Sequence, residues 1–317
     1  MTYENQNFAV QDAVKSSRDI YVQSQRDVDF REYLDWLITF SPVPDEAGKP
    51  VTFTRTGETR GIILIDGAGG GKTSLIDKAL RSHPALEAGS GALRPWIGVS
   101  VPSPATLKSL GRAILSQTGY PELPERKPVW DIWTVVRNRL KALGTAVLWI
   151  DEAHDLFHSD ARHEVNRVLR MLKSLMQGEG AVIVVLSGVE ALWDIASYDD
   201  QVKRRYAKLE LPGVTLASHG DDLRSIIDGY CDRVGLQFAM TEDLLPRLIH
   251  ASRGRFGRCI EFTVHAIEVA LSRGHQALTP DHFAEAWAMQ EGCAPGNNVF
   301  LAPKWSQINL TARNQAA

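Results

Sequence analysis

The sequence has few cysteines, no long hydrophobic run and no excess of either charge. Three cysteines occur in 317 residues, Cys231, Cys259 and Cys293. They are odd in number, widely spaced and form no C-x-x-C pair. That excludes a disulfide framework and a zinc knuckle, and it fits a reducing, cytoplasmic setting. The longest apolar runs, such as AVIVVL at 181–186, fall far short of the ~18 residues of a membrane span. They have the length of buried strands, and no membrane association is expected. The opening MTYENQNFAVQDAV is polar, without a basic-then-apolar leader. Net charge is −3, so the whole molecule is not a basic nucleic-acid binder. Any DNA contact has to come from a local stripe, or from several subunits adding a few contacts each. Internal repeats and low-complexity runs are also missing.

What is present is ordinary globular composition, 44% hydrophobic and 23% charged, in a chain long enough for roughly two domains. VDFREYLDWLITF (28–40) carries Phe30, Leu34, Leu37 and Ile38 at helical spacing. SPVPDEAGKP (41–50) reads as a linker. From 58 to about 214, short Ile- and Val-rich runs (GIILI, WIGVSV, AVLWI, AVIVVL) alternate with amphipathic stretches at 105–119 and 161–177. The runs are uninterrupted, as in a parallel sheet covered on both faces. The alternation therefore predicts an α/β sheet with right-handed crossovers. After LELPGV the strand signal stops, and helical patterns fill 215–290. One of these, TPDHFAEAWAMQ, has Thr279 as N-cap and Pro280 at the first helical position. The expected organisation is an N-terminal helical extension and linker (1–57), an α/β core (58–214), a small all-helical domain (215–290) and an irregular tail (291–317).

The stretch IILIDGAGGGKTSL (62–75) resembles the phosphate loop G-x-x-x-x-G-K-[ST], except that Asp66 stands at the first glycine and Gly67 follows one residue late. A strand precedes it and a helix follows, so Gly67, Ala68, Gly69, Gly70, Gly71, Lys72, Thr73 and Ser74 are expected to cradle ATP phosphates. Gly67 is expected to take over the tight turn, with Asp66 hydrogen-bonding locally. Lys72 would reach the β- and γ-phosphates, and Thr73 would ligate Mg2+. Downstream, AVLWIDEAH (146–154) is an apolar strand ending in two carboxylates. Asp151 is expected at the magnesium and Glu152 as general base toward water. Ser187 ends the next strand, where a polar group can sense the γ-phosphate. In DDQVKRRYAKLELP (199–212), Arg205, with Arg204 as competitor, is a candidate arginine finger. In GRFGR (254–258), Arg258, with Arg255 as competitor, is a candidate lid arginine.

Together these motifs resemble those of a AAA+ ATPase. QVKRRYAKLELP (201–212) resembles the Q-L-x-x-R-F-x-x-x-x-L-P segment of the TniB family of transposition ATPases, relatives of TnsC and more distantly of MuB. GRFGR resembles that family's G-x-x-G-R lid motif. WIDEAHDLF and the tail NVFLAPKW are similar too, so the resemblance covers about 30–305. It implies a P-loop AAA+ core, a parallel sheet flanked by helices with a small C-terminal helical lid, and the cofactors ATP and Mg2+. It also implies a homo-oligomeric ring or filament on duplex DNA, held by its backbone without sequence preference. Such an assembly recruits or activates a DDE transposase, with a TniQ-type adaptor as a further partner, and hydrolysis disassembles it. Lys108 and Arg112, one turn apart, are the candidate DNA contacts. The rival is a AAA+ ATPase of secretion or signalling that binds no DNA; a non-hydrolysing scaffold is disfavoured by the intact Glu152.

Some motifs are set aside. HEVNR (163–167) lacks the second histidine of a zinc protease. His154 and His158 are spaced for a metal but follow the Asp-Glu pair directly. GVSVP lacks the last glycine of a nucleophile elbow. Trp149 reads as core packing.

Overall fold

Five short strands rich in Ile, Val and Leu form the central sheet of the computed structural model, which describes residues 15, 18, 20–41, 47–87, 92–157, 162–198 and 200–310. They are β1 (Gly61–Ile65), β2 (Trp96–Ser100), β3 (Val147–Asp151), β4 (Ile183–Gly188) and β5 (Tyr206–Glu210). The order is β2-β3-β4-β1-β5 and every pairing is parallel. β1, β3 and β4 are buried at every position, which explains their uninterrupted apolar character.

Alternate residues feed two cores. Ile63, Ile65, Leu148 and Ile150 face a cluster shared with α3 (Leu107–Gln117), α4 (Val129–Ala142) and α5 (Arg162–Leu175). Ile62, Leu64, Val147 and Trp149 face the opposite cluster, filled by Phe30, Leu34 and Leu37 of α1 (Gln25–Leu37) and by Leu75, Ile76 and Leu80 of α2 (Lys72–Ser82). The period of two along each strand is what lets one sheet hold both helix layers.

The four anticipated strands are present, β1 as anticipated and the other three with ends displaced by one or two residues. α3 and α5 lie within their anticipated helical stretches, and α1 overlaps the 28–40 stretch but begins earlier, at Gln25. Several elements were not anticipated, two of which bear on the sheet and its flanking layer. One is α4, whose β-favouring Val and Trp residues follow a proline-rich loop; Ile132, Trp133, Val136 and Leu140 are its buried face. The other is β5, a short run with a lysine in its middle. The 41–50 linker reading lies partly outside the described residues.

By contacts the chain divides into two units. One holds 23–67 and 72–211, with the sheet; the other holds 1–22, 68–71 and 212–317. The second unit is built on α8 (Leu216–Val234), α9 (Leu244–Ala251), α10 (Phe256–Ser272) and α11 (Pro280–Glu291), after the short helices α6 (Leu192–Ala196) and α7 (Asp200–Arg205) of the first. Two two-residue strands, β6 (Gln237–Phe238) and β7 (Ala277–Leu278), pair in parallel inside it, against the expectation of an all-helical region. Its tail is less irregular than expected: Val299 and Phe300 are buried in the helical core, and two 3-10 turns flank them at 295–297 and 305–307. Thr279 and Pro280 open α11 as the sequence indicates. No helix among the described residues is long and apolar enough to cross a membrane.

Candidate functional site

β1 delivers the chain to Asp66 at the carboxyl edge of the sheet, the edge where open parallel sheets bind ligands. Asp66 does more than bond locally. Its Oδ1 accepts the Gly67 N–H at 2.7 Å, and its Oδ2 accepts Arg26 Nη2 at 2.7 Å. Both side chains of that ion pair are 6% exposed. Gly67 is not in the left-handed region. The positive φ values fall at Gly69 (75°) and Gly71 (89°), where a side chain would be strained. The expected transfer of the glycine's duty to Gly67 is thus not what the backbone does.

α2 begins at Lys72, so the loop runs straight into a helix N-terminus, an anion-binding arrangement. Lys72 is buried, and its Nζ donates to the carbonyls of Asp66 (3.0 Å) and Gly67 (3.1 Å). Thr73 Oγ1 donates to Asp151 Oδ2 at 2.7 Å. The other carboxylate oxygen of Asp151 accepts Ser187 Oγ at 2.6 Å and the Glu152 N–H at 3.1 Å. Ser187 in turn accepts Trp149 Nε1 at 2.8 Å. Trp149 therefore belongs to the polar network and not to core packing alone. A Cβ on Gly98, across the sheet, would sit 2.8 Å from the Trp149 ring, so the glycine there makes room for it.

Glu152 has φ 53°, rare for a residue with a side chain. Its carboxylate lies 3.3 Å from His154 Nδ1. His158, spaced with His154 as a metal pair would be, lies outside the described residues. Among the described residues no group of three His, Cys, Asp or Glu side chains is placed to hold a metal.

Within the other unit, α10 packs backbone against backbone with the glycine loop. A Cβ on Gly257 would stand 2.5 Å from Gly69 O and 2.9 Å from Gly71 N. Arg258 lies beside the same loop: a Cβ on Gly69 would meet its Cγ at 2.6 Å. The Arg258 guanidinium pairs with Glu291 at 3.0 Å and lies over the Phe262 ring.

The structure does not bring every candidate together. Arg205 sits against Glu58, not against the phosphate loop: Nη2 reaches Glu58 Oε2 at 3.0 Å and the side chain is 5% exposed. Arg204 is 62% exposed and touches the same carboxylate at 3.4 Å. Gln177 Nε2 completes the set at 3.0 Å. Burial pushes the Glu58 carboxyl up, but Gln177 and the two arginines outweigh it and hold it below the usual glutamate range. Lys108 and Arg112 are spent on a loop. Lys108 Nζ donates to Glu125 O, and Arg112 donates to Leu123 O (2.9 Å) and Pro124 O (2.5 Å).

Sequence reading missed Arg26, Glu58 and Gly257. Gly257 was legible as the second glycine of G-x-x-G-R. Nothing in the sequence marks Arg26, forty residues from its partner.

The parallel sheet, the phosphate-type loop and the Asp-Glu strand end define a P-loop AAA+ fold. Solved structures agree at the level of fold. The Aeropyrum pernix ORC2 protein (ADPNP–ADP complexes) is 20% identical with a TM-score of 0.54, over 77% of this chain and 68% of that one. The A. pernix ORC1 protein in complex with DNA is 20% identical with a TM-score of 0.56, over 74% and 60%. Cdc6p of Pyrobaculum aerophilum is 14% identical with a TM-score of 0.58, over 89% and 75%. No curated protein matches the chain significantly. The family model for the bacterial TniB protein matches residues 51–216. The chain belongs to the TniB family, and is a transposition-related AAA+ ATPase.

Proposed function

We propose that this protein is an ATP-switched regulator that assembles on duplex DNA, selects the target and recruits or activates a DDE transposase, a TniQ-type adaptor being a further partner. Hydrolysis then disassembles it. In this reading 1–57 is a helical extension and linker, 58–214 is the ATPase core, 215–290 is the lid and 291–317 is a tail. The observation that carries the nucleotide half is the convergence of Thr73, Ser187 and the Glu152 amide on the Asp151 carboxylate, with Lys72 buried at the adjoining helix start.

The donors fit ATP and Mg2+. Lys72 holds two carbonyls that phosphate oxygens can replace, as the helix N-terminus and loop amides receive the remaining phosphate charge. Thr73 and Asp151 offer a hydroxyl and a carboxylate, too few to cage a metal alone. That suits an ion that keeps waters and takes phosphate oxygens. When bound, Mg2+ neutralises charge on the transferring phosphoryl group. Glu152 takes the proton of the water that attacks the γ-phosphorus. The bond to the β-phosphate oxygen breaks, giving ADP and phosphate. Ser187, held by Trp149, positions Asp151 and senses the γ-phosphate. Arg258 offers a cation from the lid, once it exchanges Glu291 for phosphate.

Arg205 acts in trans only after leaving Glu58, whereas Arg204 already presents its guanidinium to solvent. Lys108 and Arg112, the candidate DNA-backbone contacts, fix a loop in which Glu122 and Glu125 balance Arg126 and Lys127, so they reach DNA by exchanging its carbonyls for phosphate. The fact that Lys108 and Arg112 are occupied by carbonyls favours the one alternative, a AAA+ ATPase of secretion or signalling without DNA. The test is electron microscopy and DNA binding with a non-hydrolysable ATP analogue, ADP or no nucleotide. Analogue-dependent rings or filaments on duplex DNA are expected. Turnover without DNA binding in any state would leave the alternative standing.

A further inference from the structure

We infer that Arg26 is a positioning residue for the nucleotide: it neutralises Asp66, the carboxylate that stands where a phosphate loop ordinarily has its first glycine, and so keeps the loop cationic enough to hold phosphate. The inference rests on the nucleotide reading of Lys72 and its loop.

A carboxylate at this position is a problem. It is buried, it sits at the turn into the loop, and the ligand that the loop's amides await is an anion. Like charges in a poorly solvated place repel strongly, and a buried charge requires a partner. The partner comes from α1. Arg26 reaches Asp66 Oδ2 at 2.7 Å with both side chains buried. The other carboxylate oxygen is engaged by the Gly67 N–H, so the pair also fixes the first peptide of the loop. The same residue's carbonyl accepts Lys72 Nζ at 3.0 Å. Arg26 thus meets the Asp66 carboxylate while Lys72 meets the same residue's backbone carbonyl, which keeps all three groups close together. Remove Arg26 and the nearby Asp66 charge is left uncompensated, which weakens the pull of the loop and Lys72 on phosphate.

α1 is held independently of the pair. Phe30, Leu34 and Leu37 bury their side chains in the core beneath the sheet. The guanidinium therefore approaches the loop on a fixed element, and its effect on nucleotide is separable from the seating of the helix.

The two partners have opposite effects on a bound anion, and that is the test. Affinity for a fluorescent ATP analogue is measured for wild type, Lys72→Ala, Arg26→Gln, Arg26→Lys, Asp66→Asn and the double variant Arg26→Gln/Asp66→Asn, with melting temperature recorded without nucleotide. Arg26→Gln should bind roughly tenfold more weakly, and Arg26→Lys should fall between it and wild type. Asp66→Asn should bind at least as tightly as wild type although its melting temperature falls. The double variant should recover most of the affinity lost in Arg26→Gln. A merely structural pair would lower affinity alike from either side, so weak binding by Asp66→Asn overturns the inference even if Arg26→Gln does not fold. Wild-type affinity in Arg26→Gln also overturns it. Failure of wild type to bind, or wild-type affinity in Lys72→Ala, removes the nucleotide reading itself and this inference with it.

Discussion

Two buried arginine–carboxylate pairs of similar geometry do different work in this molecule. Arg26–Asp66 lies at 2.7 Å where β1 becomes the glycine loop, and Arg205–Glu58 lies at 3.0 Å where α7 becomes β5. In the first, the carboxylate is the intruder at the site and the arginine corrects it. In the second, the arginine is the functional candidate, and the carboxylate keeps it inside the fold together with Gln177 and Arg204. Burial and distance alone do not distinguish them. What distinguishes them is which partner adjoins the glycine loop.

The largest effect expected concerns neither pair and sets the baseline for both. Glu152→Gln should cut ATP turnover roughly 10²–10⁴-fold while nucleotide is still bound, measured by phosphate release and by analogue affinity. Normal turnover would remove Glu152 as the base. Next comes Glu58→Ala. It leaves a buried guanidinium without its carboxylate and should destabilise the fold by about 3–5 kcal/mol, read by chemical denaturation, with Lys72-dependent nucleotide affinity unchanged in the folded fraction. A loss of affinity as large as in Arg26→Gln would erase the distinction between the pairs. Arg204→Ala, at the exposed end of the same cluster, should cost about 0–1 kcal/mol. If it nevertheless abolishes turnover that wild-type subunits restore on mixing, Arg204 is the trans finger; if only Arg205→Ala behaves so, Glu58 must release Arg205 in the assembly.

Gly257→Ala forces a methyl group against the backbone of Gly69 and Gly71 and should lower stability by about 1–3 kcal/mol; a melting temperature equal to wild type would show that α10 can move off the loop freely. The smallest effect is on the acid side. The folded Glu58 carboxyl lies below its unfolded value, so its contribution is complete above the unfolded glutamate range. It is lost as pH falls through the folded value. Glu58→Gln should therefore flatten the decline in stability below about pH 4.5. An unchanged acid limb in a pH series of denaturation midpoints would show that other carboxylates govern it.

Much of this was legible in one dimension because the physics is local. Uninterrupted Ile–Val runs such as IILI are required of strands covered on both faces. A lysine and threonine after glycines mark a helix start built for anions, and an apolar strand ending in Asp151 and Glu152 marks the opposite carboxylates. Thr279 and Pro280 announced α11 by capping chemistry alone. The helix α4 was not legible, since its Val and Trp side chains favour strands until Ile132, Trp133 and Val136 find their neighbours. Asp66 was legible only as an anomaly, and Trp149 only as bulk.

By itself, then, the sequence determined the alternation of strands and helices, the glycine loop with Lys72 and Thr73, and the Asp-Glu strand end, because these depend on residues adjacent in the chain. Only the tertiary structure decided that Arg26 answers Asp66, that Trp149 reaches Asp151 through Ser187, and that Glu58 rather than solvent holds Arg205. Those choices are electrostatic and long-range in sequence: a buried charge takes whichever partner the folded backbone delivers, and no local pattern says which one that is.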